Sequence, residues 1–122
     1  MQSDVRLPES FVSLTLPVPA PPLEIATHAV GDQVVSAALR RDAVWEPFET
    51  RLLWDCLAPG SVFADVGAKI GYFTLLAAAR VGEEGRVFAF EPDPDNWSLL
   101  RASLRRNGLA QGVAVEQAAL AD

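Results

Sequence analysis

The 122-residue sequence is poor in the side chains that most often carry chemistry, since it has one cysteine, one histidine and one lysine. With Cys56 alone, a disulfide framework and a cysteine-based zinc site are excluded, and we expect this thiol to be a small core residue. His28 has no second histidine and no cluster of carboxylates near it in the sequence, so we expect neither a metal-binding nor a catalytic role for it. Lys69 stands between two glycines, and its loop is therefore the first place to look for a ligand.

Cationic side chains are also scarce, with 10 lysines and arginines against 16 aspartates and glutamates and a net charge of -6. Phosphate backbones are bound by clustered Lys and Arg, so this balance argues against a nucleic-acid partner. The one local group, Arg101, Arg105 and Arg106, has helical spacing and predicts a solvated helix face.

Long hydrophobic runs are absent, and the first ten residues, MQSDVRLPES, have no cationic start. We therefore expect no signal peptide, no membrane span and a cytoplasmic location. Half of the residues are nevertheless hydrophobic and 21% are charged, which is the composition of a globular domain that buries a core.

The sequence pattern changes near residue 32. Before it, FVSLTL alternates like a half-buried strand, PVPAPP breaks regular structure and LEIATHAV predicts a second short strand. We interpret residues 1–32 as an N-terminal arm or hairpin and residues 33–122 as belonging to one domain.

After this point, helices and short apolar strands alternate. QVVSAALRR and PFETRLLWDC predict two helices, and the second has Phe48, Leu52 and Cys56 at the spacing of one apolar face. SVFADV and RVFAFE then predict buried strands that end at Asp65 and Glu91, with the helix YFTLLAAARVG between them.

A further helix, PDPDNWSLLRASLRRNG, follows the second strand, with Asp93 or Asp95 as its cap and Trp97, Leu100 and Leu104 on one face. The strand GVAVEQAAL comes last. Strands connected by crossover helices are typical of a parallel sheet. The sequence therefore predicts an α/β fold with three parallel strands.

Ligands of open parallel α/β sheets bind beyond the carboxyl ends of the strands. Two such ends are Asp65, with the loop through Gly71, and Glu91. Gly67 and Gly71 remove side chains where the backbone must approach a ligand, and the helix that follows favours an anion at its N-terminus. Glu91 lies 24 residues after Gly67 and is placed to accept hydrogen bonds from the hydroxyls of a ribose. The pattern predicts a nucleoside ligand with an anionic end, whereas the simpler alternative is a glycine-containing turn followed by a solvated glutamate.

The loop lacks the middle glycine of the dinucleotide motif G-x-G-x-x-G, because the three residues AKI separate Gly67 from Gly71. That absence disfavours a nicotinamide-dependent oxidoreductase. Asp65 stands two residues before the first glycine, where a carboxylate is poorly placed beside a pyrophosphate. It suits a ligand that carries positive charge, such as S-adenosylmethionine with its sulfonium and ammonium groups.

The sequence from about residue 45 to the end resembles the N-terminal half of FkbM-type S-adenosylmethionine-dependent methyltransferases. DVGAKIGYFT is similar to the D-V-G-A-N-I-G-Y motif of that family, FEPDPDNWSLL to its second-strand acidic motif and AALAD to the end of its third strand. The resemblance implies a Rossmann-like class I methyltransferase fold, S-adenosylmethionine as cofactor and O-methylation of a sugar, polyketide or other secondary-metabolite hydroxyl. Residues 33–122 would then be the N-terminal half of the methyltransferase domain.

The resemblance also implies roles for individual residues. The methionine part of the cofactor would lie against the loop, the ribose hydroxyls against Glu91 and the adenine against Pro92. Asp122 would approach the adenine amino group, and Glu46 in WEP matches a family position that serves in capping, packing or ligand contact. The cofactor-binding residues expected in the loop are Asp65, Gly67, Ala68, Lys69, Gly71 and Tyr72.

Two features depart from the family pattern. Lys69 replaces the family's asparagine, and we expect its side chain to point to solvent or to pair with the cofactor carboxylate. The chain also stops after the third strand, before the family's substrate contacts and any general base, so we assign no catalytic residue. We expect a fragment, a truncated gene product or part of a split domain, whose first strand has an unpaired edge open to a second copy or a partner chain. The alternative function is a non-catalytic, truncated module that depends on a partner.

Overall fold

The computed structural model describes residues 11–28 and 34–119. The strands are β1 (Phe11–Ser13), β2 (Glu24–Ala26), β3 (Val62–Val66), β4 (Arg86–Phe90) and β5 (Val113–Glu116). The helices are α1 (Val34–Asp42), α2 (Pro47–Cys56), α3 (Tyr72–Val81) and α4 (Pro94–Arg106), and a 3-10 turn spans Ala110–Gly112. Within these two ranges, no helix is both long enough and apolar enough to cross a membrane.

The parallel sheet has the strand order β3-β4-β5, with α3 and α4 as its crossover connections, which confirms the predicted α/β arrangement. Asp93 caps α4 as expected, because its carboxylate accepts a hydrogen bond from the backbone N–H of Asn96 at 2.9 Å. Val66 at the end of β3 pairs with Phe90 at the end of β4. The loops that follow these two strands therefore lie at one edge of the sheet.

Only one face of this sheet is covered by the described residues. Val87 and Ala89 point into the core, where α3 and α4 pack. On the opposite face, Val62, Val66 and Phe88 are 67%, 56% and 40% exposed. The prediction of buried strands was wrong for this surface of β3 and β4, because side chains alternate along a strand and both crossover helices contribute to the same core. We call the surface formed by Val62, Val66 and Phe88 the bare sheet face.

Helix α2 turns a different face to the core from the one that its apolar spacing predicts. Phe48, Leu52 and Cys56 are exposed, so the predicted apolar face and the predicted core position of the thiol were both wrong. Thr50 and Trp54 are buried instead. The Thr50 hydroxyl bonds to a tyrosine of α3, and an arginine of α3 lies over the Trp54 ring, 4.9 Å from its centroid. Polar and cation–π contacts with α3 thus fix the rotation of α2.

The N-terminal hairpin packs against α4. β1 and β2 are antiparallel, and each is shorter than its apolar pattern in the sequence. The backbone N–H of Ala26 donates to the Ser103 hydroxyl at 2.8 Å, and that of Glu24 donates to the Asn107 side chain at 2.9 Å. Ile25 belongs to the same hydrophobic core as the sheet and its helices. The hairpin therefore contributes directly to the packing of the described chain.

Candidate functional site

The loop between β3 and α3 is fastened to the neighbouring strand by its backbone. The N–H groups of Gly67 and Ala68 both donate to the carbonyl of Phe90, at 2.8 and 3.0 Å. The N–H of Lys69 donates to Oε1 of Glu91 at 2.6 Å. The two sequence motifs predicted to form one site are therefore joined by three hydrogen bonds at the carboxyl edge of the sheet.

The two glycines of the loop have different roles. Gly67 has φ +72°, and a Cβ at this position would meet no atom within 4 Å, so the loop surface is open here. Gly71 has φ +98°, and its Cβ would stand 2.8 Å from Cγ of Leu100 on α4. At Gly71 the missing side chain therefore makes room for Leu100 of α4. At Gly67 it leaves the surface of the loop open, where a ligand can approach the backbone.

Lys69 adopts the left-handed backbone conformation, with φ 59°, and its side chain is exposed. A residue with a Cβ is strained in this region, and asparagine tolerates it better than most because its short side chain bonds locally. The asparagine that the family carries at this position is therefore explained by the backbone. Lys69 departs from the asparagine of that pattern. Its neighbours in the sequence, Ala68 and Ile70, are buried in the core.

Asp65 lies on the helix-covered side of β3 and is engaged by α3. The hydroxyl of Thr74 donates to Oδ2 of Asp65 at 2.6 Å. Burial raises the pKa of the Asp65 carboxyl above its usual range, the Thr74 hydrogen bond opposes the shift, and the negative charge of Glu91 adds to it. The sequence reasoning missed Thr74. A threonine within the apolar run FTLLAAA is a local signal for the residue itself, but not for the carboxylate that it contacts.

Glu91 is 5% exposed, and its carboxylate accepts several hydrogen bonds from the chain itself. Oε1 accepts from Lys69 N, and Oε2 accepts from the N–H of Asp93 at 3.1 Å and from Nδ2 of Asn96 at 3.4 Å. These bonds fix the orientation of the carboxylate at the end of β4. Pro92, the next residue, is exposed at the same edge.

The histidine for which we expected no functional role lies close to this carboxylate. Nε2 of His28 is 2.7 Å from Oδ1 of Asn96, whose amide nitrogen bonds to Glu91. His28 and Asn96 are 68 positions apart. No local sequence pattern signals this contact, because it depends on how the hairpin packs against α4.

The other predicted residues lie beside the loop or outside the described ranges. Tyr72 is buried, and its hydroxyl bonds to that of Thr50 at 2.8 Å, so its side chain packs against α2. Burial also raises the pKa of the Tyr72 phenol. Glu46 is the N-cap residue of α2 with φ 49°, and its exposed side chain makes no capping hydrogen bond. Asp122 lies outside the described residues.

The described parts of the chain do not gather a set of metal ligands. They contain no group of three or more His, Cys, Asp or Glu side chains placed to hold a metal ion. The carboxylates at the sheet edge are bonded to hydroxyl, amide and backbone donors instead.

Comparison of the sequence with protein families identifies the part of the chain that carries this site. The family described as the methyltransferase FkbM domain matches residues 65–121, just under half of the chain. This segment is similar to the FkbM methyltransferase domain. The match begins at Asp65 and includes the loop, Glu91 and the whole of α4. No curated protein matches the sequence significantly.

Solved structures similar to this chain have the class I methyltransferase fold. A methyltransferase from Geobacter sulfurreducens is 26% identical, with a TM-score of 0.57 over 75% of this chain and 52% of its own. An S-adenosylmethionine-dependent O-methyltransferase from Thermotoga maritima is 22% identical, with a TM-score of 0.56 over 79% of this chain and 40% of its own. An rRNA methylase from Streptococcus thermophilus is 16% identical, with a TM-score of 0.53 over 60% of this chain and 42% of its own. The chain thus has a Rossmann-like α/β fold and spans about half or less of the length of these structures.

S-adenosylmethionine is the cofactor that the FkbM family and this fold imply. The residues at the sheet edge fit such a ligand. The loop is open above Gly67, because a side chain added at that position would meet no atom of the chain within 4 Å. Glu91 supplies a fixed carboxylate beside the same loop, which is the group that vicinal ribose hydroxyls need as an acceptor.

Proposed function

We propose that this chain is the cofactor-binding half of an S-adenosylmethionine-dependent methyltransferase. The observation that carries the proposal is the attachment of the glycine loop to Glu91 through the N–H of Lys69, within the segment that matches the FkbM family. This bond holds an open backbone surface and an acceptor for ribose hydroxyls side by side. A glycine turn with a merely solvated glutamate, the simpler alternative, would leave Glu91 exposed rather than buried and bonded.

The proposed roles of the residues follow from their positions at the sheet edge. Gly67 and Ala68 would lie against the methionine part of the cofactor, and Pro92 would lie against the adenine. Glu91 would bind the ribose. A carboxylate has about four lone-pair positions, and three donors of the chain already use this one, so it retains capacity for a ribose hydroxyl.

Asp65 would contribute a polar group near the methionine part, and Lys69 would face solvent or the cofactor carboxylate. Gly71 and Tyr72 would act by shaping the start of α3 rather than through their own side chains, because both pack against neighbouring helices. This division separates residues that would touch the cofactor from residues that hold the loop.

We propose a small-molecule hydroxyl, on a sugar, polyketide or other secondary metabolite, as the methyl acceptor. When bound, S-adenosylmethionine supplies an electrophilic methyl group on its sulfonium sulfur. The acceptor oxygen would form the new carbon–oxygen bond and release its proton to solvent as the carbon–sulfur bond breaks, with S-adenosylhomocysteine as the leaving group. The chain would contribute by holding the reactants in line, which is the main requirement of such a displacement. This acceptor class is supported by the FkbM resemblance and by the O-methyltransferase among the similar structures.

Titration calorimetry with S-adenosylhomocysteine tests the proposed binding site. We expect the chain to bind this ligand more tightly than NAD, and Glu91→Gln to weaken binding at least tenfold, or about 1.4 kcal/mol. Glu84→Gln is the matched control, because Glu84 is an exposed glutamate in the turn between α3 and β4. Tighter binding of NAD, or equal binding by both variants, would contradict the proposal.

The bare sheet face favours a second candidate function, a non-catalytic module that depends on a partner. Sheets of parallel strands are normally covered on both faces, and β3 has no further strand at its outer edge within the described residues. A second copy of the chain or a different partner chain would bind this face and edge. Absence of S-adenosylhomocysteine binding at millimolar concentration would support this function over the first.

A further inference from the structure

His28 is held firmly in a position next to the start of α4. Its backbone N–H donates to the Ser36 hydroxyl at 3.0 Å, and its carbonyl accepts from Nη1 of Arg40 at 2.7 Å. Both partners belong to α1. The imidazole therefore extends from a backbone that is fixed on both sides, and it reaches Asn96 in the first turn of α4.

The hydrogen-bonding capacities of the three side chains determine the direction of each bond. The amide of Asn96 has one acceptor and one donor group, and Glu91 is an acceptor when ionised. Because Nδ2 of Asn96 faces Glu91, its Oδ1 faces His28, and Nε2 of His28 must carry the proton of the 2.7 Å bond. With the amide reversed, its oxygen would face the carboxylate and repel it. With the proton on Nε2, His28 and Glu91 thus favour the same orientation of the Asn96 amide.

We propose that His28 is a positioning residue for cofactor binding, which acts through Asn96 to hold the Glu91 carboxylate in the orientation that receives the ribose hydroxyls. This inference rests on the proposed binding of S-adenosylmethionine. It assigns a function to the contact between the N-terminal hairpin segment and the FkbM-matched segment, since His28 lies outside residues 65–121.

A role in helix capping alone does not account for the contact. The backbone N–H of Asn96 is already satisfied by the carboxylate of Asp93 at 2.9 Å, so α4 is capped without His28. The histidine instead bonds to the side-chain amide, the one group that connects it to Glu91. Loss of the imidazole would release the amide while leaving the cap in place.

Two ligands and two variants test this inference. The ligands are S-adenosylhomocysteine and its 2′,3′-dideoxy analogue, which lacks the hydroxyls that Glu91 would bind. We expect His28→Leu to weaken binding of S-adenosylhomocysteine about fivefold, or about 1 kcal/mol, and to leave the weaker binding of the analogue unchanged. We expect His28→Gln to restore most of the loss, because the glutamine amide can supply a donor where Nε2 stands.

The outcomes separate this inference from the proposed function. If the unsubstituted chain binds neither ligand, the proposed function is wrong and the inference is wrong with it. If the chain binds S-adenosylhomocysteine but His28→Leu weakens both ligands equally, or neither, only the inference is overturned. Urea unfolding of each variant shows which fraction is folded, so that binding is compared at equal concentrations of folded protein.

Discussion

Lys69 is one of three non-glycine residues with a positive φ in the described ranges. Its φ of 59° is unfavourable for a lysine and acceptable for an asparagine. We expect Lys69→Asn to raise the free energy of unfolding by about 0.5–1 kcal/mol, measured by urea denaturation. Lys69→Ala is the control, because alanine keeps the Cβ without the local hydrogen bond of asparagine. An equal gain in both variants would show that the lysine charge, rather than the backbone, is the source of strain.

Asp65 makes stability depend on pH. The folded state keeps the proton of this carboxyl to higher pH than the unfolded chain does, because burial raises its pKa. Its ionisation therefore lowers the free energy of unfolding as the pH rises from the unfolded value, about 3.9, through the raised folded value. Asp65→Asn removes the charge and keeps an acceptor for Thr74. We expect this variant to be more stable than the parent at pH 7, and the difference to disappear near pH 3.

Urea denaturation at a series of pH values from 3 to 7, without ligand, measures this difference. Asp55→Asn serves as the control, since Asp55 is exposed on α2. A stability difference between Asp65→Asn and the parent that stays constant across the series would exclude ionisation of Asp65 as its cause.

For single residues, the sequence is informative where a reactive or polar side chain stands at the end of a predicted strand. Asp65 and Glu91 could be predicted as site candidates because each ends an apolar strand, and parallel strands end at the same edge. The contacts of Thr74 and His28 could not be predicted. Each depends on which side chain faces a carboxylate after α3, α4 and the hairpin have packed, and no local pattern records that.

At the scale of elements, the junction between the loop and α4 depends on Gly71. A Cβ at this position would stand 2.8 Å from Cγ of Leu100, and the φ of Gly71 is positive. We expect Gly71→Ala to lower the free energy of unfolding by about 2–4 kcal/mol, the sum of backbone strain and overpacking. Gly108→Ala is the matched control, because Gly108 has φ +69° but no atom within 4 Å of a Cβ.

A double-mutant cycle isolates the steric part of this effect. Leu100→Ala should destabilise the Gly71→Ala variant less than it destabilises the parent, because the smaller side chain relieves the overlap. If the two losses simply add, contact with Leu100 contributes nothing to the requirement for glycine.

The elements themselves were largely predictable, since turn residues bound each apolar run. The exception is the rotation of α2, where the spacing of Phe48, Leu52 and Cys56 indicated the wrong face. Periodicity identifies a helix and an apolar stripe, but the buried stripe is decided by the partner helix. In α2, Thr50 and Trp54 are the buried residues because they make hydrogen-bonding and cation–π contacts with α3.

For the whole molecule, the bare sheet face determines how the chain behaves at high concentration. We expect the chain to associate through this face, because exposed apolar surface and the edge of β3, which is unpaired within residues 11–28 and 34–119, both favour pairing. The double variant Val62→Thr/Phe88→Gln should associate less in sedimentation velocity experiments while its free energy of unfolding changes by no more than about 0.5 kcal/mol.

Val87→Ala provides the contrast, since Val87 is adjacent to Phe88 but points into the core. We expect it to cost about 2 kcal/mol of stability and to leave association unchanged. If the double variant is destabilised as strongly as Val87→Ala, the sheet face is covered in solution rather than bare.

The sequence could not reveal this asymmetry of the sheet. The apolar character of SVFADV and RVFAFE is that of strands buried on both faces, and it therefore predicts two covered faces. Burial of a strand requires two covering layers, whereas the described helices provide one. The apolar composition of β3 and β4 thus indicates strands suited to burial on both faces. The described residues cover only one of these faces.

The shared carbonyl of Phe90 also constrains the order in which the molecule can fold. The N–H groups of Gly67 and Ala68 have this β4 acceptor as their partner, so the loop cannot take its final shape until β3 and β4 have paired. That pairing closes a segment containing the whole of α3, so it is a non-local step for which loop-closure entropy must be overcome. The loop is therefore a product of sheet formation rather than its nucleus, and substitutions within it should accelerate unfolding more than they slow folding.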